Sequence, residues 1–96
     1  NATFIVRARG DSMIGSGIYP GDLLIVDRSI KPQNNSIIIA VLDGELSVKI
    51  LKMENKQVCL SSSNKNYVDV LVSEEMDFTI WGVCTNVVHS LSPKNR

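Results

Sequence analysis

Two side chains carry the reactive chemistry in this sequence: Ser12, in the run Gly10-Asp11-Ser12-Met13, and Lys49, inside Glu45-Leu46-Ser47-Val48-Lys49-Ile50. A serine hydroxyl becomes a nucleophile when a neighbouring group takes its proton, and a neutral lysine amine can do so without histidine or aspartate. The lone His89 then has no catalytic task to fill. A free lysine titrates near about 10.4 and is charged at neutral pH, so the pair needs a site that excludes water and penalises the ammonium form. Met13, Ile14, Ile18 and Leu51 are the apolar neighbours available to build that dry wall. In such a site Lys49 takes the Ser12 proton across about 2.6 to 3.2 Å while Ser12 Oγ attacks an acyl carbon. Gly10 permits the tight backbone turn, and the backbone N–H groups of Asp11 and Ser12 are the candidate oxyanion donors.

Each residue also has an ordinary reading. Ser12 fits a turn serine whose hydroxyl bonds locally. Strand alternation puts Leu46, Val48 and Ile50 on one face and Glu45, Ser47, Lys49 and Leu51 on the other. By that pattern Lys49 belongs to the wetter face and reads as a solvated lysine.

The elements that must position the pair read as strands. Thr3 to Ala8 is β-branched or aromatic and stops at Gly10, which places Ser12 in a loop or at a helix start. Tyr19-Pro20-Gly21-Asp22 has the proline and glycine of a type II turn, and it leads into the buried run Leu23-Leu24-Ile25-Val26-Asp27. After the polar turn Lys31 to Asn35, Ser36 to Leu42 and Glu45 to Met53 flank Asp43-Gly44, a strong hairpin signal. Further strands are expected at Gln57 to Leu60, Val68 to Val72 and Phe78 to Val88, the last bent near Gly82. Short strands with Gly and Pro between them predict an all-β domain of compact, strongly bent antiparallel sheets, with at most a short helical turn after Met13. Ser92 to Arg96 reads as a frayed end.

Bulk properties narrow the function classes. Ninety-six residues, 44% of them apolar, suffice for one core, so residues 1–96 are read as a single domain. No apolar run approaches the roughly 18 to 20 residues of a membrane span, and the first residues lack a basic, cleavable leader. The chain begins at Asn1 rather than methionine, and the reading is that an N-terminal piece has been removed. Ten basic and ten acidic residues cancel, which argues against direct nucleic-acid binding. Cys59 and Cys84 have no zinc-ligand spacing and read as free buried thiols, so no metal and no cofactor is expected. The sequons at Asn1-Ala2-Thr3 and Asn34-Asn35-Ser36 are discounted as chance patterns. Glu74, Glu75 and Asp77 read as a solvated turn, Trp81 as core or dimer interface, and His89 as a surface residue of the last strand.

The ordered set Gly10-Asp11-Ser12-Met13, Gly17-Ile18, Gly21-Asp22-Leu23-Leu24-Ile25-Val26-Asp27, Asp43-Gly44-Glu45-Leu46-Ser47-Val48-Lys49 and Phe78-Thr79-Ile80-Trp81-Gly82-Val83 resembles the catalytic domain of the LexA/UmuD family of self-cleaving peptidases. The resemblance extends over nearly the whole chain and leans to the UmuD branch. It implies a Ser12/Lys49 dyad that cuts its own N-terminal arm when a RecA filament on single-stranded DNA stimulates it. It further implies a cytoplasmic homodimer that joins a Y-family, UmuC-like polymerase in error-prone translesion synthesis during the SOS response. A LexA-like or phage repressor is the alternative within the family, and a pure interaction module with a residual pair is the alternative outside catalysis. Signal peptidases share the chemistry but need a membrane anchor. The Ala-Gly or Cys-Gly bond that such relatives cut is missing here, which implies a cleaved or truncated form. Ile50 also stands where relatives often carry a second basic residue.

Overall fold

A computed structural model describes residues 2–92. They form seven strands: β1 (Thr3–Arg7), β2 (Leu23–Asp27), β3 (Ile37–Leu42), β4 (Glu45–Glu54), β5 (Gln57–Ser61), β6 (Val70–Val72) and β7 (Phe78–Val88). The strands make one antiparallel sheet in the order β1-β2-β7-β3-β4-β5-β6, so the all-β expectation holds. The only helical element among the described residues is a 3-10 turn at Ile14–Ser16, where the short turn after Met13 was expected.

Turn chemistry explains the connections. Asp22 N donates to Tyr19 O at 3.0 Å and Gly21 has φ of 91°, the type II geometry that proline followed by glycine encodes. Asp43 and Gly44, at φ of 50° and 85°, make the left-handed pair that closes β3 onto β4. Asn55 and Lys56, at 51° and 66°, repeat that turn between β4 and β5 with no glycine to announce it.

β7 joins the two halves of the sheet, pairing with β2 along one end and with β3 along the other. Each pairing slips register once, between Ile25 and Val26 on β2 and between Ile39 and Ala40 on β3. An extra residue in one strand bends it and sharpens its twist, and at the β3 slip that residue is Trp81. The expected bend near Gly82 is therefore present. A Cβ on Gly82 would stand 2.5 Å from Val26 Cγ1, so the close approach of β2 needs glycine there. Half-buried Trp81 meets Phe4 edge-on at 5.1 Å and lies under Arg28 at 4.6 Å.

Each face of the sheet carries a buried cluster. Ala8, Met13, Ile18, Leu24, Val26 and Ile39 form one buried cluster, with Val48 and Ile50 packed against it. Ile38, Ala40, Leu51, Leu60 and Val83 form the other. Neighbours Ile38 and Ile39 enter different clusters because successive strand side chains point to opposite faces. This corrects the expected wet face of β4. Lys49 shares its face with Leu51, 1% exposed, and pairs across β3 with Ile38, fully buried. The expected dry wall is also divided. Met13 and Ile18 lie in the first cluster and Leu51 in the second, while Ile14 is 38% exposed.

Candidate active site

Ser12 is held by what flanks it. Upstream, Ala8 N donates to Asp22 O at 2.8 Å and Gly21 N donates to Ala8 O at 2.9 Å, which fixes the end of β1 against the type II turn. Gly10 turns the chain at φ of 70°. Downstream, buried Met13 anchors the loop, and Ile18 N returns to Met13 O at 3.2 Å after the 3-10 turn closes on left-handed Gly17. Half-buried Ser12 lines a cleft of about 360 Å³ with Val6, Ile39, Leu46, Ser47 and Val48, and with Arg7 and Arg9. Among the described residues its hydroxyl makes no hydrogen bond, and the N–H groups of Asp11 and Ser12 meet no acceptor.

Lys49 follows Ser47 and Val48 on β4 and is half-buried. Its amine donates to Ser62 Oγ at 2.8 Å, and that is the hydrogen bond it makes, rather than the expected one to Ser12. The β4/β5 register runs to Ile50 opposite Ser61, so the next step along it sets Ser62 opposite Lys49. The amine also lies 5.4 Å from the centre of the Tyr67 ring.

Tyr67 links this lysine to the serine loop. Its hydroxyl donates to Asp11 Oδ1 at 2.6 Å, and Asn64 Nδ2 donates to Asp11 O at 2.9 Å. The bond to the Asp11 carboxylate, with some burial and the charge of Asp11, holds the Tyr67 phenol above the usual tyrosine range, so it stays a donor. Gly15 N donates to Ser63 O at 2.7 Å and the Ser16 and Ser63 hydroxyls bond to each other. A Cβ on Gly15 would fall 2.5 Å from Ser63 O, so glycine is what lets the two backbones touch. Residues 62–67 thus form a bracket that grips Lys49 on one side and the segment around Ser12 on the other. The amine's contacts come from this bracket, as a hydrogen bond to Ser62 and an approach to the Tyr67 ring.

The family described as Peptidase S24-like matches residues 1–85. The chain belongs to that family. It is 42% identical over 88 residues to protein ImpA of Salmonella typhimurium, an overlap covering 92% of this chain and 59% of ImpA. To protein SamA of Salmonella typhimurium strain LT2 it is 43% identical, over 92% of this chain and 60% of SamA. To LexA repressor 2 of Pseudomonas syringae pv. tomato it is 36% identical, over 88% of this chain and 42% of the repressor. The S24 chain therefore spans three-fifths or less of these relatives.

Other polar residues of this S24 domain lie away from the cleft. His89, expected as a plain surface residue, has a 43% exposed side chain but places Nδ1 at 2.5 Å from Oδ1 of Asp22, 3% exposed. Asp22 Oδ2 also accepts from Tyr19 N at 2.8 Å, so this carboxylate pins the end of β7 to the type II turn. Cys59 and Cys84 are free and half-buried rather than buried. Burial pushes the Cys84 thiol up to about 11, which makes it a poor nucleophile at neutral pH. Among the described residues no group of three or more His, Cys, Asp or Glu is placed to hold a metal ion, and no helix is long and apolar enough to cross a membrane.

The sequence reading gave Ser62, Asn64 and Tyr67 no role. The signal was the hairpin register, which, extended through β5, sets Ser62 across from Lys49. The contact of Tyr67 with Asp11 had no local signal, because 56 residues separate them.

Proposed function

We propose that this S24-family domain is a serine peptidase of the self-cleaving kind, with Ser12 as nucleophile and Lys49 as general base. One observation carries the reading. A hydroxyl with no internal partner lines an open cleft, and the segment that holds the lysine amine also holds the residues on either side of that hydroxyl.

A peptide lying in the cleft presents a carbonyl carbon to Ser12 Oγ. As the C–O bond forms, the hydroxyl proton passes to the Lys49 amine, and the N–H groups of Asp11 and Ser12 receive the developing oxyanion. Collapse expels the leaving amine, which takes the proton from Lys49. Water, deprotonated by Lys49 in turn, then releases the acyl group and restores Ser12. Val6, Ile39 and Val48 give the cleft apolar walls suited to small apolar side chains beside the cut bond.

The protein we infer is a UmuD-like, cytoplasmic homodimer that acts with a Y-family polymerase in SOS translesion synthesis. Its cut falls in an N-terminal arm and is stimulated by a RecA filament on single-stranded DNA. β1 and β6, the open edges of the sheet, are the strands such a dimer would cover. The likeness to LexA repressor 2 supports a second reading, the C-terminal half of a repressor. The coding sequence upstream of Asn1 separates them: a short arm favours the first and a helix-turn-helix domain the second.

The test is cleavage in trans of a peptide bearing an Ala-Gly bond. The expected result is cutting by the parent domain and none by Ser12→Ala or Lys49→Ala. Undiminished cutting by both variants would defeat the assignment, and a folded parent that cuts nothing would favour an interaction module.

A further inference from the structure

We propose that Ser62 is a positioning residue for the general base, a third member that aims the Lys49 amine at Ser12. The inference rests on the Ser12/Lys49 reading and deepens it.

A neutral amine has two N–H bonds and one lone pair, and only the lone pair can take the serine proton. On a flexible four-carbon stem that lone pair has no fixed direction. Ser62 Oγ accepts an N–H of Lys49 at 2.8 Å, which uses one donor and leaves the lone pair free. The Tyr67 ring, centred 5.4 Å from Nζ, occupies a second side of the amine. A nucleophile, a base and a third group that orients the base is the general logic of activated serines.

Ser62 can do this because its own position is determined twice. The β4/β5 register delivers it opposite Lys49. Its neighbour Ser63 is tied to the serine loop through Gly15 N and the Ser16 hydroxyl, and Asn64 and Tyr67 both bond Asp11. The acceptor that fixes the amine is thus built into the same bracket that fixes the residue before the nucleophile. One segment therefore carries both the acceptor of the amine and the bonds to Asp11.

The experiment compares Ser62→Ala, Ser62→Thr and Ser62→Val with the parent. Threonine and valine share a shape, and only threonine keeps a hydroxyl. Modification of Ser12 by a fluorophosphonate is followed to saturation, which separates the maximal rate from reagent affinity. The expected result is a maximal rate about 10-fold lower for Ala and Val, the worth of one lost hydrogen bond, with affinity unchanged and Thr within about threefold of the parent. In spectra recorded at a pH low enough to protonate Lys49, its ammonium signal should exchange slowly with solvent in the parent and Thr variant, and rapidly in Ala and Val. A Val variant as fast as Thr, or a Lys49 signal that ignores the hydroxyl, overturns the proposal. Absence of Ser12 modification in the parent would instead overturn the peptidase reading, and the Lys49 exchange would still decide whether Ser62 holds the amine.

Discussion

Two polar clusters stand on this sheet, one around Asp22 and one around Ser12, and they are built to opposite plans. At Asp22 a buried carboxylate meets donors on both oxygens, Tyr19 N on one and His89 Nδ1 on the other. These bonds hold a turn to the end of a strand. Around Ser12 the neighbours are equally constrained, with Asp11 bound by two side chains and Gly15 bound by Ser63. Yet the hydroxyl itself and the adjacent N–H groups have no partner among the described residues. A buried polar group whose bonds are filled contributes to stability, whereas a half-exposed hydroxyl with no internal bond stays open to solvent or to an external partner. The contrast separates a pin from the centre proposed to be reactive.

Substitutions should divide along the same line. The largest effect belongs to Ser12→Ala, which should lower peptide cleavage by more than about a thousandfold and leave the urea midpoint unchanged. Asp22→Ala should do the reverse. Loss of the carboxylate strands Tyr19 N and the His89 ring, which costs about 2 kcal/mol in urea denaturation, while activity per folded molecule is kept. Equal effects of both variants on both measurements would erase the contrast. Gly15→Ala tests the bracket, since the new Cβ must displace the Ser63 carbonyl. A stability loss of about 1 kcal/mol with a severalfold slower Ser12 modification is expected, and a silent substitution would show that the backbone contact is dispensable.

The smallest effect is a titration. The Tyr67 phenol is raised mainly by its bond to the Asp11 carboxylate, so Asp11→Asn should return its titration toward the ordinary tyrosine value, read by phenolate absorbance. The sign follows from the protonated phenol being the form the fold prefers. Any stability from this contact is fully present below the unfolded tyrosine value and is lost as pH rises through the raised one. The parent should therefore lose slightly more stability than Asp11→Asn on going to alkaline pH.

Much of this was legible in the sequence. Leu23–Asp27 and Phe78–Val88 are β-branched and apolar enough to define their strands, and Pro20-Gly21 and Asp43-Gly44 carry their turns in their side chains. The surroundings of Lys49 were not legible. Alternation sorts the residues of β4 onto two faces but cannot say that each packs into a buried cluster, Val48 and Ile50 with Met13 and Ile18, and Leu51 with Leu60 and Val83. Ser61–Asn66 has no periodicity, so only the pairing register gives Ser62 a partner. β6 was expected from Val68 and begins at Val70, because Tyr67 and Asp69 turn away to Asp11 and to the Ser61 hydroxyl.

The backbone contact between Gly15 and Ser63 has a bearing on how such domains can vary. Two segments far apart along the chain meet with no side chain between them, so neither can gain or lose a residue without pulling the other out of alignment. Grafts between relatives should therefore exchange the pair together, and chimaeras that carry one segment without its mate should fold but lose the Gly15–Ser63 contact.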